Sequence, residues 1–192
     1  MKITELLEDS SDTMTFWHGG RNLQFNHMEM LGAKHGRWEY GPGLYLTNHY
    51  ETARKYAKGG GSTYKVTVEK GTDIKQITID LKEVIDFVKR YVIGKHRSNI
   101  IDDLKNNLNK LGILQLEVLV NLCVNYDALS PKNTVELRKF LVNHGADYEI
   151  VRGYGGRDEH IAIIFNPTKI KNIEPIKASD VTLDQWKLLI NK

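Results

Sequence analysis

The chain has 192 residues, 41% of them hydrophobic, with 27 Lys and Arg against 24 Asp and Glu. This composition predicts one compact domain with a real hydrophobic core, without a long linker or an internal repeat. A net charge of +3 is too small to indicate a nucleic-acid-binding protein, and no apolar run approaches the ~20 residues that span a membrane.

The N-terminal segment and the single cysteine indicate a protein of the cytoplasm. Residues 1–9 read as a short acidic helix rather than a signal peptide, and we expect residues 1–14 to form an N-terminal arm. Cys123, in an apolar helix, is expected to be a buried, unreactive thiol. The seven histidines have no metal-binding spacing, so we expect no metal site.

The first distinctive block is a strand that ends in two glycines. Thr15, Phe16 and Trp17 favour a pleated backbone, which would deliver His18 to an open edge followed by Gly19-Gly20-Arg21. Bare glycine backbone admits a ligand closely. Two interpretations fit: a histidine that closes a tight turn, which is the commoner case for a lone His-Gly, or a histidine that binds a ligand.

A second block consists of a turn, a short strand and the start of a helix. Gly41-Pro42-Gly43 is turn chemistry, Leu44-Tyr45-Leu46 predicts a short strand, and Asn48 with Glu51 resembles a capping box that opens a helix.

The helix of this block carries an aromatic residue between two small ones. Ala53, Tyr56 and Ala57 fall at i, i+3 and i+4, so their side chains share one face. Tyr45 and Tyr56 would then line a slot for a planar cationic ring by stacking and cation–π attraction. The alternative is that both tyrosines are half-buried core residues.

The middle of the chain is helical. Gly59-Gly60-Gly61-Ser62 predicts a mobile connector that lacks the Lys-Ser/Thr ending of a phosphate-binding loop, and residues 64–68 predict a strand. Apolar spacing predicts four helices. They cover residues 81–94, 98–112, 113–124 and 134–144.

A buried strand late in the chain begins with a carboxylate. Residues 160–165 form a short apolar run, which Asn166-Pro167 ends, and Glu159 stands at its start. In a strand, Asp158 and Glu159 would face opposite sides, so only one of them can enter a site. Residues 170–176 continue as an edge segment before a C-terminal helix.

These blocks together resemble the ADP-ribosyltransferase superfamily, in its His-Tyr-Glu branch of diphtheria-type toxins and poly(ADP-ribose) polymerases, and are similar to small bacterial or phage domains of that kind. The resemblance covers about residues 15–64 and 145–174. It implies an α+β fold, a split β-sandwich of two small antiparallel sheets with surrounding helices. The domain would occupy residues 15–192, with a helical insertion at about 81–144.

The resemblance also implies a function. The chain would be a mono-ADP-ribosyltransferase that moves ADP-ribose from NAD to a macromolecule, with a protein acceptor favoured over nucleic acid. An NAD glycohydrolase and a non-catalytic module that binds NAD or ADP-ribose are the alternatives.

The resemblance assigns a role to each motif residue. Glu159 would stabilise the positive charge on the ribose, and His18 would bind the adenosine-side ribose. Tyr45 and Tyr56 would enclose the nicotinamide. The other cofactor-binding positions are Gly19, Gly20, Arg21 and Ala53. Arg21 would face the pyrophosphate or, equally, cover a strand end.

Three positions depart from the family pattern. Arg157 stands two residues before Glu159, where toxins that modify arginine, cysteine or asparagine carry Glu or Gln. Gly20 replaces a serine of the poly(ADP-ribose) polymerases, and Ala53 replaces a serine that touches the carboxamide. Losing one hydrogen bond of this kind costs about 1 kcal/mol, which weakens NAD binding without abolishing it.

Overall fold

The computed structural model describes residues 12–21, 23, 39–153, 158–182 and 185–187. Within these ranges the chain is α+β, with antiparallel sheets of six and two strands. The strands are β1 Thr13–Gly20, β2 Leu44–Thr47, β3 Ser62–Glu69, β4 Thr78–Ile79, β5 Leu114–Gln115, β6 Tyr148–Arg152, β7 His160–Ile164 and β8 Ile170–Ile176. The helices are α1 Tyr50–Tyr56, α2 Leu81–Tyr91, α3 Arg97–Asn106, α4 Leu116–Asn125 and α5 Pro131–Asn143.

The six-stranded sheet has the order β6-β7-β2-β1-β3-β8 and consists of two three-stranded halves. Strands β1 and β3 pair over eight residues, from Thr13↔Glu69 to Gly20↔Ser62. Strands β1 and β2, in contrast, share the single pair Trp17↔Thr47. The two halves of the sheet are therefore joined at one point, and we call the gap between β1 and β2 beyond this pair the split.

One face of all six strands contributes to a single hydrophobic cluster. Because side chains alternate along a strand, every second residue of β1, β2 and β3 points into it. Edge strands β6 and β8 contribute as well, so the two halves of the sheet share one core. Its buried members are Met14, Phe16, Leu44, Leu46, Tyr64, Val66, Val68, Tyr148, Ile150, Ala162, Ile164 and Ile170.

Helices α2 to α5 form a second core on the opposite side of β7. Ile161 and Ile163 of β7 and the following Phe165 pack into it with the apolar faces of the helices. Cys123 of α4 lies in this core, and burial raises the pKa of its thiol to about 12, as expected for an unreactive cysteine. Among the helices that the structure describes, none is long and apolar enough to cross a bilayer.

Helix α1 packs on β1 through a small third cluster. Trp17, Tyr50 and Ala53 are buried together, and the rings of Trp17 and Tyr50 meet edge to face at 5.1 Å. The indole Nε1 of Trp17 donates a hydrogen bond to the carbonyl of Gln185 at 3.1 Å. A Cβ at Gly19 would overlap the backbone carbonyl of Ala53, so only glycine lets α1 approach β1 this closely.

The predicted elements agree with the structure in type, with shifted ends. All four helices predicted in the middle of the chain are present, within the predicted insertion of 81–144. The second ends at Asn106 rather than near Gly112, and the third begins at Leu116, because residues 114–115 pair with β4.

Further differences concern the strands, and two predictions at the ends of the chain fall on residues that are not described. Strand β6 was not predicted, and β1 starts at Thr13, two residues before the predicted domain boundary. Residues 1–11 of the predicted arm lie outside the described residues. So does much of the predicted C-terminal helix.

The close approach at Gly19 leads to a stability prediction. We expect Gly19→Ala to lower the free energy of unfolding by about 1–3 kcal/mol, because the added methyl group displaces α1 from β1. Gly94→Ala is the matched control, since a Cβ there meets nothing within 4 Å. Urea denaturation of both variants measures the effect, and equal stability of the two would contradict this explanation.

Candidate functional site

The three motif residues lie in, or directly before, three inner strands of the six-stranded sheet. His18 is in β1 and Tyr45 in β2, while Glu159 directly precedes β7. Since the sheet order is β7-β2-β1, these strands are neighbours. Trp17, Thr47 and Ile161 form one row across these strands. His18 and Tyr45 lie on the side of this row where the split opens, and Glu159 lies on the other side, next to Thr47.

His18 spans the split between β1 and β2. Its Nδ1 lies 2.9 Å from the carbonyl oxygen of Tyr45, which makes Nδ1 the donor and leaves Nε2 as an acceptor. Burial lowers the pKa of His18, so the imidazole is neutral at pH 7. A Cβ at Gly20 would lie 2.7 Å from Nε2, so glycine at this position keeps the acceptor nitrogen free of a neighbouring side chain.

Glu159 is a buried carboxylate with one defined donor. It is 4% exposed, and its Oε1 accepts a hydrogen bond of 2.8 Å from the hydroxyl of Thr47. That hydroxyl accepts in turn from the backbone N–H of His49 at 3.0 Å. Asp158, in contrast, is exposed and pairs with Lys187 at 2.7 Å, which lowers the pKa of Asp158. The predicted difference between these two neighbouring carboxylates is confirmed.

Asn48 holds the backbone on both sides of Glu159. Its side-chain oxygen accepts from the N–H of His160 at 2.8 Å, and its side-chain nitrogen donates to the carbonyl of Asp158 at 3.4 Å. The predicted capping box of Asn48 with Glu51 is wrong, because His49 occupies the N-cap of α1 and makes no side-chain cap. The amide of Asn48 is used to position Glu159 instead.

The side chain of Tyr45 is held by packing of its ring and by hydrogen bonds to its hydroxyl. Its ring packs against the helical core, and its hydroxyl donates to the carbonyl of Gly41 at 2.9 Å. The N–H of Tyr40 donates to the same hydroxyl at 3.0 Å. Burial raises the pKa of Tyr45 far above its ordinary value, so the phenol stays neutral. The position of the Tyr45 ring is therefore fixed by these contacts.

Tyr56 lies at the end of α1 and is 69% exposed. Ala53 faces β1, and each residue of a helix turns by about 100°, so Tyr56 and Arg54 project on opposite flanks of α1. Arg54 lies toward β3 and β8, which places Tyr56 on the flank toward β2 and Tyr45. The two tyrosine rings make no aromatic contact with each other in the described part of the chain.

The other predicted cofactor-binding positions have structural contacts. Ala53 is 1% exposed and packs with Trp17. The guanidinium of Arg21 donates to the carbonyl of Gly59 at 2.6 Å, at the tip of the glycine-rich loop. Arg157 lies outside the described residues.

Alternation determines which side chains share a face of the sheet. Trp17 and Thr47 are paired, so Thr47 lies on the face that α1 covers, together with Tyr45 two residues earlier. Glu159 meets Thr47 on that face. His18 follows Trp17 and points to the opposite face, so it reaches the site only through the split.

Two buried ring nitrogens in the segments around Asn48 and Glu159 have no hydrogen-bond partner among the described residues. They are Nε2 of His49 and Nδ1 of His160. Both residues are next to groups that hold Glu159, since His49 donates to Thr47 and His160 to Asn48. Buried polar atoms of this kind are commonly satisfied by water or by a ligand.

Sequence reasoning missed Glu149, a second buried carboxylate on the face of Tyr45. Both Glu149 and Tyr45 pair with Ile163, and Glu149 is 5% exposed. Burial raises its pKa to about 7, even though the Lys75 ammonium lies 3.7 Å away. Nothing in the stretch 148–151 distinguishes this acid from a surface residue, because the strand itself was not predicted.

A groove of about 620 Å³ lies on the far side of α1 from Tyr56, and His18, Tyr45 and Glu159 are not among its lining residues. The described residues contain no group of three or more His, Cys, Asp or Glu that could hold a metal ion. Comparison of the chain with models of known families, with curated proteins and with solved structures finds no match.

The hydrogen bond between Thr47 and Glu159 gives a stability prediction. Thr47→Val keeps the shape but removes the donor, which leaves a buried carboxylate oxygen unpaired. We expect a loss of about 1–3 kcal/mol in the free energy of unfolding at neutral pH. Thr47→Ser retains the hydroxyl and should lose less. Urea denaturation at pH 7 compares the two, and a serine variant as unstable as the valine variant would contradict the role of the hydroxyl.

Glu149 gives a pH prediction. Its folded-state pKa of about 7 lies above the ordinary 4.5, so the folded protein binds this proton more tightly than the unfolded chain. Its contribution to the free energy of unfolding should therefore fall as the pH rises from about 4.5 to 7 and stay constant above. Glu149→Gln should remove this loss, a gain on the order of 3 kcal/mol over wild type at pH 8.

The measurement is the difference in urea midpoint between Glu149→Gln and wild type across this pH range. Asp102→Asn, at an exposed position, is the control and should show a flat difference. A flat difference for Glu149→Gln as well would mean that its pKa is ordinary.

Proposed function

We propose that the protein is a mono-ADP-ribosyltransferase that transfers ADP-ribose from NAD to a macromolecular acceptor and releases nicotinamide. The observation that carries this proposal is the placement of His18, Tyr45 and Glu159 in or directly before three adjacent strands, with His18 and Tyr45 at the split and Glu159 held by Thr47 beyond the Trp17–Thr47 pair. One hydrogen bond joins His18 to the carbonyl of Tyr45, and Thr47, two residues after Tyr45, donates another to Glu159. We further propose that the two halves of the sheet correspond to the split β-sandwich of this family.

The binding part of the proposal uses the two tyrosines and the split. The nicotinamide ring would lie between the fixed ring of Tyr45 and the exposed ring of Tyr56, held by stacking and cation–π attraction. His18 is neutral, so its Nε2 can accept a hydrogen bond from a ribose hydroxyl group.

The chemical part of the proposal uses Glu159. The bond between nicotinamide and ribose breaks, and neutral nicotinamide leaves with the bonding electron pair. The ribose carbon becomes oxocarbenium-like, and the Glu159 carboxylate stabilises its positive charge. The acceptor then adds its own electron pair to that carbon and loses a proton. Because Thr47 and Asn48 fix Glu159 from the side chain and the backbone, little reorganisation is needed during the reaction.

An NAD glycohydrolase would use the same groups with water as the acceptor. A non-catalytic module would bind NAD or ADP-ribose without turnover. Against this last alternative, the buried Glu159 accepts a hydrogen bond from Thr47 and the backbone on both sides of it is held by Asn48, which a binding module does not require. We also propose a cytoplasmic location, in line with the single buried thiol of Cys123.

The central test of the reaction is Glu159→Gln. This variant keeps the shape but removes the negative charge, so turnover should fall by orders of magnitude while NAD binding is largely retained. Purified protein is incubated with NAD labelled in the adenosine part, with and without cell lysate. Released nicotinamide and label retained on macromolecules are then measured.

Asp158→Asn is the matched control, since Asp158 is the neighbouring exposed carboxylate. It should behave like wild type. Equal activity of Glu159→Gln and wild type would refute the assignment. Nicotinamide release without retained label would identify a glycohydrolase, and NAD binding without either signal would identify a binding module.

Tyr56 gives a separate kinetic prediction. Tyr56→Ala should raise the KM for NAD several-fold and leave kcat less affected, because it removes stacking that substrate and transition state share. Tyr56→Phe keeps the ring and should resemble wild type. Initial-rate measurements of nicotinamide release separate the two, and an unchanged KM in the alanine variant would remove Tyr56 from the site.

A further inference from the structure

A basic groove runs along the flank of α1 that faces β3 and β8. Its volume is about 620 Å³, and it is open to solvent along its length. Three segments line it, from α1, the start of β3 and the end of β8. The lining residues are Tyr50, Arg54, Ala57, Gly61, Ser62, Thr63, Pro175, Ile176, Lys177 and Ala178.

The charge of the groove has one sign. Of the described lining residues, Arg54 and Lys177 are cationic and none is acidic. Glu51 lies 3.5 Å from Arg54, but both side chains are largely exposed, and an exposed pair of this kind contributes little. Lys55 and Lys58 add two exposed cations at the end of α1. The groove therefore favours an anionic ligand.

The neutral part of the lining suits phosphate and bases. The hydroxyl groups of Ser62 and Thr63 can donate to phosphate oxygens. Trp186 is not a lining residue, but its ring, 37% exposed, lies 5.7 Å from the ring of the lining residue Tyr50, and we call Trp186 the aromatic margin of the groove. Cations that follow a backbone beside exposed aromatic rings are the arrangement by which proteins bind single-stranded nucleic acid.

We propose that the basic groove binds single-stranded nucleic acid. The phosphates of the strand contact Arg54 and Lys177, and a base stacks at Trp186. An acidic peptide would use the two cations but would gain nothing from the aromatic margin, so the observations favour the nucleic acid. The groove lies on the flank of α1 opposite Tyr56, and a strand bound there would be a candidate acceptor of ADP-ribose, a role that rests on the proposed function.

The first test measures binding without NAD. Fluorescence anisotropy of labelled oligothymidylate should rise with added protein, and affinity should fall with salt with a logarithmic slope of about −1.4 for two phosphate contacts. Arg54→Ala and Lys177→Ala should each reduce this slope by about 0.7. Lys132→Ala, an exposed lysine on α5, should leave it unchanged.

Three results would overturn the proposal that the basic groove binds single-stranded nucleic acid. They are no salt-dependent binding by wild type, binding that Arg54→Ala and Lys177→Ala leave unchanged, and displacement of the oligonucleotide by a polyglutamate peptide at comparable charge. Trp186→Ala should weaken binding several-fold without changing the salt slope, and circular dichroism establishes that each variant is folded. A Trp186→Ala variant that binds like wild type would remove the stacking part.

The second test separates the groove from the catalytic site. Glu159→Gln should bind the oligonucleotide like wild type, while Arg54→Ala with Lys177→Ala should still release nicotinamide from NAD. If wild type binds the oligonucleotide but releases no nicotinamide, the groove stands and the proposed reaction fails. If label from NAD goes to protein in the lysate and never to the oligonucleotide, the bound strand is not the acceptor of ADP-ribose.

Discussion

The single pair between Trp17 and Thr47 is the constraint on which the candidate site depends. Continuous pairing of β1 with β2 would bury the backbone of Gly19 and Tyr45 in sheet hydrogen bonds. Instead the carbonyl of Tyr45 accepts from the imidazole of His18, and the two halves of the sheet are joined at one point. The pair also fixes the face on which Thr47 meets Glu159. Opening of the sheet and placement of the carboxylate therefore follow from the same contact.

The two buried carboxylates of this sheet face show how differently one fold can hold an acid. Glu159 has a hydroxyl donor at 2.8 Å and a backbone fixed on both sides by Asn48. Glu149 is about as buried, yet the Lys75 ammonium 3.7 Å away donates its hydrogen bond to the carbonyl of Ile150 instead. Burial therefore dominates at Glu149 and raises its pKa to about 7. Glu159, unlike Glu149, therefore has both a side-chain donor and a backbone held on each side, which is the property that the proposed reaction uses.

The sequence predicted what is local and missed what depends on distant partners. Strand β2, helix α1 and the burial of Glu159 next to an exposed Asp158 followed from alternation, turn residues and apolar runs. The role of Asn48 did not, because its partners lie more than a hundred residues away and its local pattern resembles a cap. Strand β6 was missed since its short sequence, with an acid in the middle, gains its strand character from pairing with β7. The His-Tyr-Glu grouping came from resemblance, and the arrangement on neighbouring strands is what gives it physical content.

The most direct test of NAD binding at the candidate site is a crystal structure of the Glu159→Gln variant with NAD. In this structure we expect the nicotinamide ring between Tyr45 and Tyr56 and the nicotinamide ribose beside residue 159. We also expect a ribose hydroxyl group of NAD within hydrogen-bond distance of His18 Nε2. NAD bound elsewhere, or a split that stays empty at saturating NAD, would contradict it.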